Sequence, residues 1–153
     1  MIRFGTRDDV KQVNVIRKQV AVIHQMGEPQ IFKGFTKGLE EHIYEFFGNL
    51  DKKLLVYEAD GEILGYAMLE FVIKPETDYR YALKYLDVCE LGVLQSRRSQ
   101  GIGKKLLDEI QQVAKNNGYY QIQLNAWTFN ERGLKFYNDY GFQNYRDYFR
   151  LDI

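Results

Sequence analysis

Cysteine occurs once in the 153 residues, at Cys89, so no internal disulfide framework can hold this chain together. Two histidines, His24 and His42, are too few for a histidine-based metal site, and no metal is expected. Proline is as scarce, with Pro29 and Pro75 alone, and tryptophan appears only at Trp127. Neither sign of charge dominates: 21 Lys and Arg face 21 Asp and Glu. That balance removes the electrostatic footprint of a general nucleic-acid binder but leaves room for a local basic patch. No apolar run exceeds a few residues, so nothing spans a membrane, and Met1-Ile2-Arg3-Phe4 does not begin a signal peptide. Repeats and low-complexity segments are missing as well. What is present is 45% hydrophobic content, with 12 Tyr and 10 Phe promising an aromatic-rich core. These figures predict one soluble cytoplasmic domain over residues 1–153, with no membrane or nucleic-acid partner.

Patterning supplies the elements. Ile2 to Phe4 reads as a short strand, and Thr6 with Asp9 three residues later marks a helix start. Val13, Ile16, Val20 and Ile23 recur at helical spacing, which predicts a helix over 8–25 ended by Gly27-Glu28-Pro29. Thr36 caps a second helix carrying Leu39, Ile43 and Phe46 or Phe47 on one face, closed by Gly48-Asn49. Lys53 to Ala59 and Glu62 to Ile73 form a hairpin around Asp60-Gly61, a type I′ signal. Tyr81 to Val93 is another extended run. Gly101 to Asn117 is a helix with Leu106, Ile110 and Val113 inward, and Tyr119 to Trp127 a strand. Asn130 to Tyr140 is a short helix, and Gly141-Phe142 opens a last strand ending near Leu151. The order β-α-α-β-β-β-α-β-α-β implies an α/β chain: a mixed sheet with helices packed on it.

Chemistry concentrates between Leu91 and Lys105, where a strand ends, Arg97 and Arg98 appear, and Gly101 and Gly103 open a helix. A helix start offers unpaired N–H groups and the positive end of its dipole, and glycine lets backbone approach a ligand. With Lys104 and Lys105 adjacent, the segment predicts an anion site for a phosphorylated ligand; a basic turn before an ordinary surface helix is the plain alternative. A Walker A loop would need glycine at Arg98 and serine or threonine at Lys105. A dinucleotide fingerprint begun at Gly101 would need glycine at Leu106. Neither fits.

A second segment, Asn130-Glu131-Arg132-Gly133-Leu134-Lys135-Phe136-Tyr137-Asn138-Asp139-Tyr140-Gly141-Phe142, follows one strand later. Together with Arg98-Ser99-Gln100-Gly101-Ile102-Gly103 it resembles the GNAT superfamily of acetyl-CoA-dependent N-acetyltransferases. The first run fits that family's motif of Arg or Gln, two variable residues, Gly, one variable residue, then Gly or Ala. The later run fits its Asn…Tyr…Gly-Phe pattern. Gln95, Ser99 and Gly133 depart from the common Pro, Gly and Ala, without removing a group needed for coenzyme binding.

The resemblance implies a GNAT-like fold, a mostly antiparallel mixed sheet flanked by helices, with acetyl-CoA as co-substrate. It implies that backbone N–H groups from Arg98 through Ser99, Gln100, Gly101, Ile102 and Gly103 to Lys104 cradle the pyrophosphate. Leu91 and Val93 would pair with the pantetheine arm through their main chain, and an N–H near Leu91 would polarise the acetyl carbonyl. Gly92 offers a place for the bulge that parts the fourth and fifth strands. Tyr137 would protonate the leaving thiolate, and Asn130 would contact the coenzyme or cap its helix. Asp87 and Glu90 are the candidate bases, on opposite faces of their strand unless a bulge intervenes. A base at neutral pH needs a raised pKa or a water relay. Cys89 is expected to be a buried structural thiol rather than a nucleophile. His24, His42, Phe32, Phe35 and Glu28 suit either an acceptor-pocket wall or plain packing. The implied reaction is direct acetyl transfer to a small-molecule primary amine; a protein amine, or a non-catalytic acyl-CoA-binding module, is the alternative. Monomer and homodimer are both open.

Overall fold

The computed structural model describes residues 1–153. Strand β1, Ile2–Phe4, leads through a 3-10 turn at Arg7–Asp9 into helix α1, Val10–Gly27. The turn is the helix start foreseen at Thr6 and Asp9: the Asp9 carboxylate accepts from the Thr6 backbone N–H at 2.7 Å and from Arg3 through two guanidinium nitrogens. The expected second helix is broken, with α2 at Lys37–His42 followed by a 3-10 turn at Ile43–Phe46. Strands β2, Lys52–Ala59, and β3, Glu62–Lys74, form the hairpin, turning on Asp60 and Gly61, both at positive φ. Strand β4 is Leu83–Val93, α3 is Ile102–Asn116, β5 is Ile122–Leu124 and α4 is Glu131–Tyr140.

The five strands lie in sequence order across one sheet, antiparallel from β1 to β4, with β5 parallel to β4. This is the mixed, mostly antiparallel sheet the patterning implies. Alternation along β2 and β3 divides the core between the two faces. Leu55, Ala67, Leu69 and Leu86 meet Leu106, Leu107 and Ile110 of α3 on one face. Leu54, Val56, Tyr66 and Met68 meet Val13 and Ile16 of α1 and Ile43 on the other. Burying each such side chain contributes roughly 1.5–3 kcal/mol, so both helices are fixed against the sheet that carries the site.

Two expectations fail at the end of the chain. Strand β5 holds three residues rather than the nine from Tyr119 to Trp127, because it stays beside β4 only from Leu86 to Val88. The strand expected after Phe142 does not form. No backbone group from Gln143 to Ile153 makes a backbone hydrogen bond, and a strand without a neighbour has no ladder to define it.

Candidate active site

The register between β3 and β4 slips once. Met68 pairs with Glu90 and Leu69 with Val88, so Cys89 is the extra residue of a bulge. The bulge therefore lies three residues before Gly92, not at it. Gly92 answers a different demand: a Cβ there would sit 2.6 Å from the Tyr66 ring and 3.2 Å from both Ile16 and Val20. Only glycine lets α1 lie this close to β4.

The bulge decides which side chains meet. Asp87 points away from the α3 face that Leu86 and Val88 occupy, and without the extra residue Glu90 would point into that face. With it, Glu90 turns to the α1 side that Asp87 shares. Beyond Val88 the parallel pairing with β5 stops while β4 continues to Val93 beside β3. One backbone edge of Cys89 to Val93 thus has no strand neighbour, an edge that an extended ligand could join by main-chain bonds.

Past the end of β4 lies the glycine-rich turn. Ser99 and Gly101 have φ of +63° and +83°, and a Cβ at Gly101 would meet nothing within 4 Å. Helix α3 starts with no side-chain cap, and its first backbone bond runs from Lys105 N–H to Gly101 carbonyl. The N–H groups of Ile102, Gly103 and Lys104 are thereby left for an acceptor from outside the helix. Gly103 has its own reason, since a Cβ would press the Phe136 ring of α4 at 3.0 Å.

The cations around this turn sort differently from their sequence order. Arg97 lies 3.9 Å from Glu62, Lys104 pairs with Asp108 at 3.1 Å, and Lys105 lies over the Tyr57 ring. Arg98 has no carboxylate; its Nε donates to the Val93 carbonyl at 3.3 Å. Its pKa is lowered by burial first and then by the charge of Arg132. Arg132, in the first turn of α4, donates to the Ser99 hydroxyl at 2.6 Å. Two guanidinium groups stand beside a free helix start with no acid to balance them, a local positive field of the kind that attracts anions. Sequence proximity hid Arg132, which lies 33 residues from Ser99; its place at the start of the Asn130 helix was the available signal.

Asn130 caps α4, its side-chain oxygen accepting from Gly133 N–H at 3.1 Å. Tyr137, two turns on, packs its half-buried ring against Phe136 and Phe142. Burial alone raises its pKa, so the phenol stays protonated at neutral pH, and its charge would bear on the buried Tyr66 of β3.

Of the two carboxylates, Asp87 is raised above its ordinary value by burial first, with the Glu70 charge adding and Lys74 opposing. Glu70 is its cross-strand partner, a like-charge pair directly opposed. Cys89, expected to be buried, lies exposed because the bulge turns it out, and its Sγ is 3.5 Å from Asp87 Oδ2. Desolvation among its neighbours and the Asp87 charge push the thiol up to about 12, which keeps thiolate scarce. Glu90 is engaged elsewhere. Its two oxygens accept Arg17 Nε and a terminal guanidinium nitrogen, each at 3.0 Å, and Oε1 also accepts the Tyr66 hydroxyl at 2.8 Å. Arg17 is 2% exposed and donates further to Asn14 Oδ1 and the Leu39 carbonyl, both at 2.9 Å. An arginine among the apolar residues of α1 gave no periodicity signal. The loop beyond α1 brings Phe32 edge-on to His24 and Trp127, with Phe129 closing the group. His42 lies apart, beside Phe46 and Glu45.

The model of the acetyltransferase (GNAT) family matches residues 20–142, most of the chain. The chain belongs to the GNAT family. Among curated relatives, an uncharacterised N-acetyltransferase of Chlorobaculum tepidum is 26% identical over 112 residues, 71% of this chain and 61% of that protein. A glucosamine 6-phosphate N-acetyltransferase of Trypanosoma brucei brucei is 28% identical over 102 residues, 66% of this chain and 65% of its own. The match thus spans less than two thirds of either relative's length. A mutant BH1408 protein from Bacillus halodurans has the same fold at TM-score 0.95 and 23% identity, covering 100% of this chain and 99% of that one. The aminoglycoside N-acetyltransferase AAC(6')-Iy, solved in complex with CoA, superposes at TM-score 0.74 and 18% identity, covering 100% and 99%.

Proposed function

We propose that this GNAT domain, formed by residues 1–153, transfers the acetyl group of acetyl-CoA to a primary amine of a small-molecule acceptor by direct attack in a ternary complex. The observation that carries the reading is the continuity of two features. The β4 edge beyond Val88, where pairing with β5 ends, leads to an uncapped helix start flanked by Arg98 and Arg132. Pantetheine and pyrophosphate present those two chemistries, amide and anion, in that order. The residues fit the coenzyme: the Gly101 turn has room, and neither guanidinium has a carboxylate.

On this reading the free N–H groups of Ile102 to Lys104 receive the phosphate oxygens, and Leu91 N–H receives the acetyl oxygen as charge develops on it. The amine nitrogen bonds to the carbonyl carbon, the carbon–sulfur bond breaks, and Tyr137 gives its proton to the thiolate. Asp87, whose raised pKa brings it nearer neutrality, takes the proton from the amine through water. Glu90, fully engaged by Arg17 and Tyr66, holds the bulge in place and leaves the base role to Asp87.

The test is thiol release from acetyl-CoA on addition of a broad panel of primary amines, small molecules and peptides alike. Amine-dependent release with small acceptors is the expected result. Release with peptides only would move the acceptor to a protein amine. Tight CoA binding with no amine-dependent turnover would leave a binding module and overturn the reading.

A further inference from the structure

Part-way along, strand β4 changes the edge to which it shows a given set of amides. Leu86 N–H donates to the Gln121 carbonyl, toward β5, whereas Leu94 N–H donates at 2.8 Å to the Leu64 carbonyl of β3. Residues 86 and 94 are both even-numbered, and in a regular strand amides an even number of positions apart leave by the same edge. Cys89, the extra residue of the bulge, reverses the order. Gly92 N–H therefore goes to β3 as Leu94 does, and Leu91 and Val93 turn theirs to the edge that β5 has left. In a regular strand Leu91 and Val93 would spend those groups inside the sheet.

Glu90 is the first side chain whose face depends on the bulge, and Arg17 holds it there from α1. This guanidinium, 2% exposed, sets Nε and Nη2 each 3.0 Å from a Glu90 oxygen. Its Nη1 donates to Asn14 Oδ1 and to the Leu39 carbonyl, so it cannot swing to follow a displaced carboxylate. Were β4 regular, Glu90 would enter the apolar face of Leu106, Leu107 and Ile110 as a bare charge, and Arg17 would stay behind unpaired. A lysine could not do the same work, because one ammonium cannot span both carboxylate oxygens and reach Leu39 as well. We propose that Arg17 is a positioning residue for the transfer step: by pinning Glu90 it fixes the bulge, and so aims the Leu91 and Val93 N–H groups at the open edge of β4. The use made of those amides rests on the acetyl-transfer reading, whereas their aim is a property of the unliganded chain.

Amide hydrogen exchange followed by NMR on the full, unliganded chain reads that aim directly. In wild type, Leu91 and Val93 should exchange on the order of 100-fold faster than Gly92 and Leu94, which are bonded within the sheet. In Arg17→Met the contrast should shrink to about threefold or less. The same variant should lose on the order of 100-fold in kcat for amine-dependent thiol release, as when an oxyanion donor is removed, with KM for acetyl-CoA changed far less. Arg17→Met combined with Glu90→Gln leaves no orphaned charge and should show both losses while folded by circular dichroism. A folded variant that keeps the exchange contrast overturns the inference, and so does one that keeps the wild-type kcat. So does a wild type in which Leu91 and Val93 exchange as slowly as Gly92 and Leu94. A wild type without amine-dependent turnover overturns the acetyl-transfer reading instead, and the exchange contrast then decides for or against Arg17 alone.

Discussion

Replacing Arg17 by methionine strikes the polar cluster that the aromatic and aliphatic core encloses on the α1 side. The substitution keeps much of the arginine stem and removes two bonds to Glu90 and the bonds to Asn14 and the Leu39 carbonyl. Glu90 is left with the Tyr66 hydroxyl alone. Removing one partner of a buried ion pair costs about 3–5 kcal/mol, mainly because a desolvated charge is left uncompensated. The Glu90 side chain retains 24% of its exposure, so water relieves part of that, and about 3 kcal/mol is expected. Against a total stability of roughly 5–15 kcal/mol this is a large share. Glu90→Gln keeps an amide oxygen for both partners and should cost about 1–2 kcal/mol.

The combination separates this account from loss of packing. With Arg17 gone, neutralising Glu90 removes the orphaned charge, so Arg17→Met with Glu90→Gln should cost less than the two single losses together, by about 1.5 kcal/mol or more. Urea unfolding, followed by circular dichroism and by the fluorescence of Trp127, measures all four corners of the cycle. Additivity within ~0.5 kcal/mol, or an Arg17→Met loss below ~1 kcal/mol, would show that the cluster is not the anchor described.

On the proposed mechanism, in which the phenol acts only as the thiolate leaves, Tyr137→Phe should lower kcat on the order of 100-fold with little change in KM for acetyl-CoA; unchanged turnover at every pH would remove that role. Asp87→Asn should cost a similar factor in kcat. It should also change the pH dependence of stability: a raised folded pKa stabilises at low pH and that contribution is lost as pH rises through it, so the variant should gain on wild type above the ordinary Asp range. Arg132→Ala should weaken CoA binding by roughly tenfold and flatten its salt dependence in calorimetry, while an unaltered affinity would place the phosphates elsewhere. Asp9, held below the usual carboxylate range by its bonds to Arg3, stabilises above its unfolded pKa and loses that as pH falls through the folded one. Asp9→Asn should therefore lower the melting temperature at neutral pH and soften the acid limb of the stability curve.

What could be read in advance was whatever depends on near neighbours in the chain. The Thr6–Asp9 cap, the Asp60-Gly61 hairpin and the inward face of Leu106, Ile110 and Val113 are local patterns, and all are found. The last strand failed because a strand is defined by its neighbour, and the alternation around Phe149 says nothing of where that neighbour is. Gly92 misled for a related reason. Glycine serves positive φ, close approach and bulges alike, and only the packing of Ile16, Val20 and Tyr66 shows which demand operates at residue 92.

The same locality explains the site's charge. Arg97, Arg98, Lys104 and Lys105 crowd one stretch of sequence and look like the anion site by number. Acids and an aromatic ring nearby engage all but one of them. The second free cation, Arg132, comes from another helix, and the free N–H groups come from a helix start that no side chain caps. A zero net charge is consistent with this arrangement, because the field that attracts a phosphate depends on which charges lack partners within a few ångströms and not on how many there are. The carboxylates obey the same rule in reverse. Asp87 and Glu90 differ by three positions and share a face through one bulge, yet one has Arg17 and the other faces Glu70. Opposite neighbours give the two acids opposite surroundings, an ion pair with Arg17 for Glu90 and a like charge with burial for Asp87, which is why the proposed base role falls to Asp87.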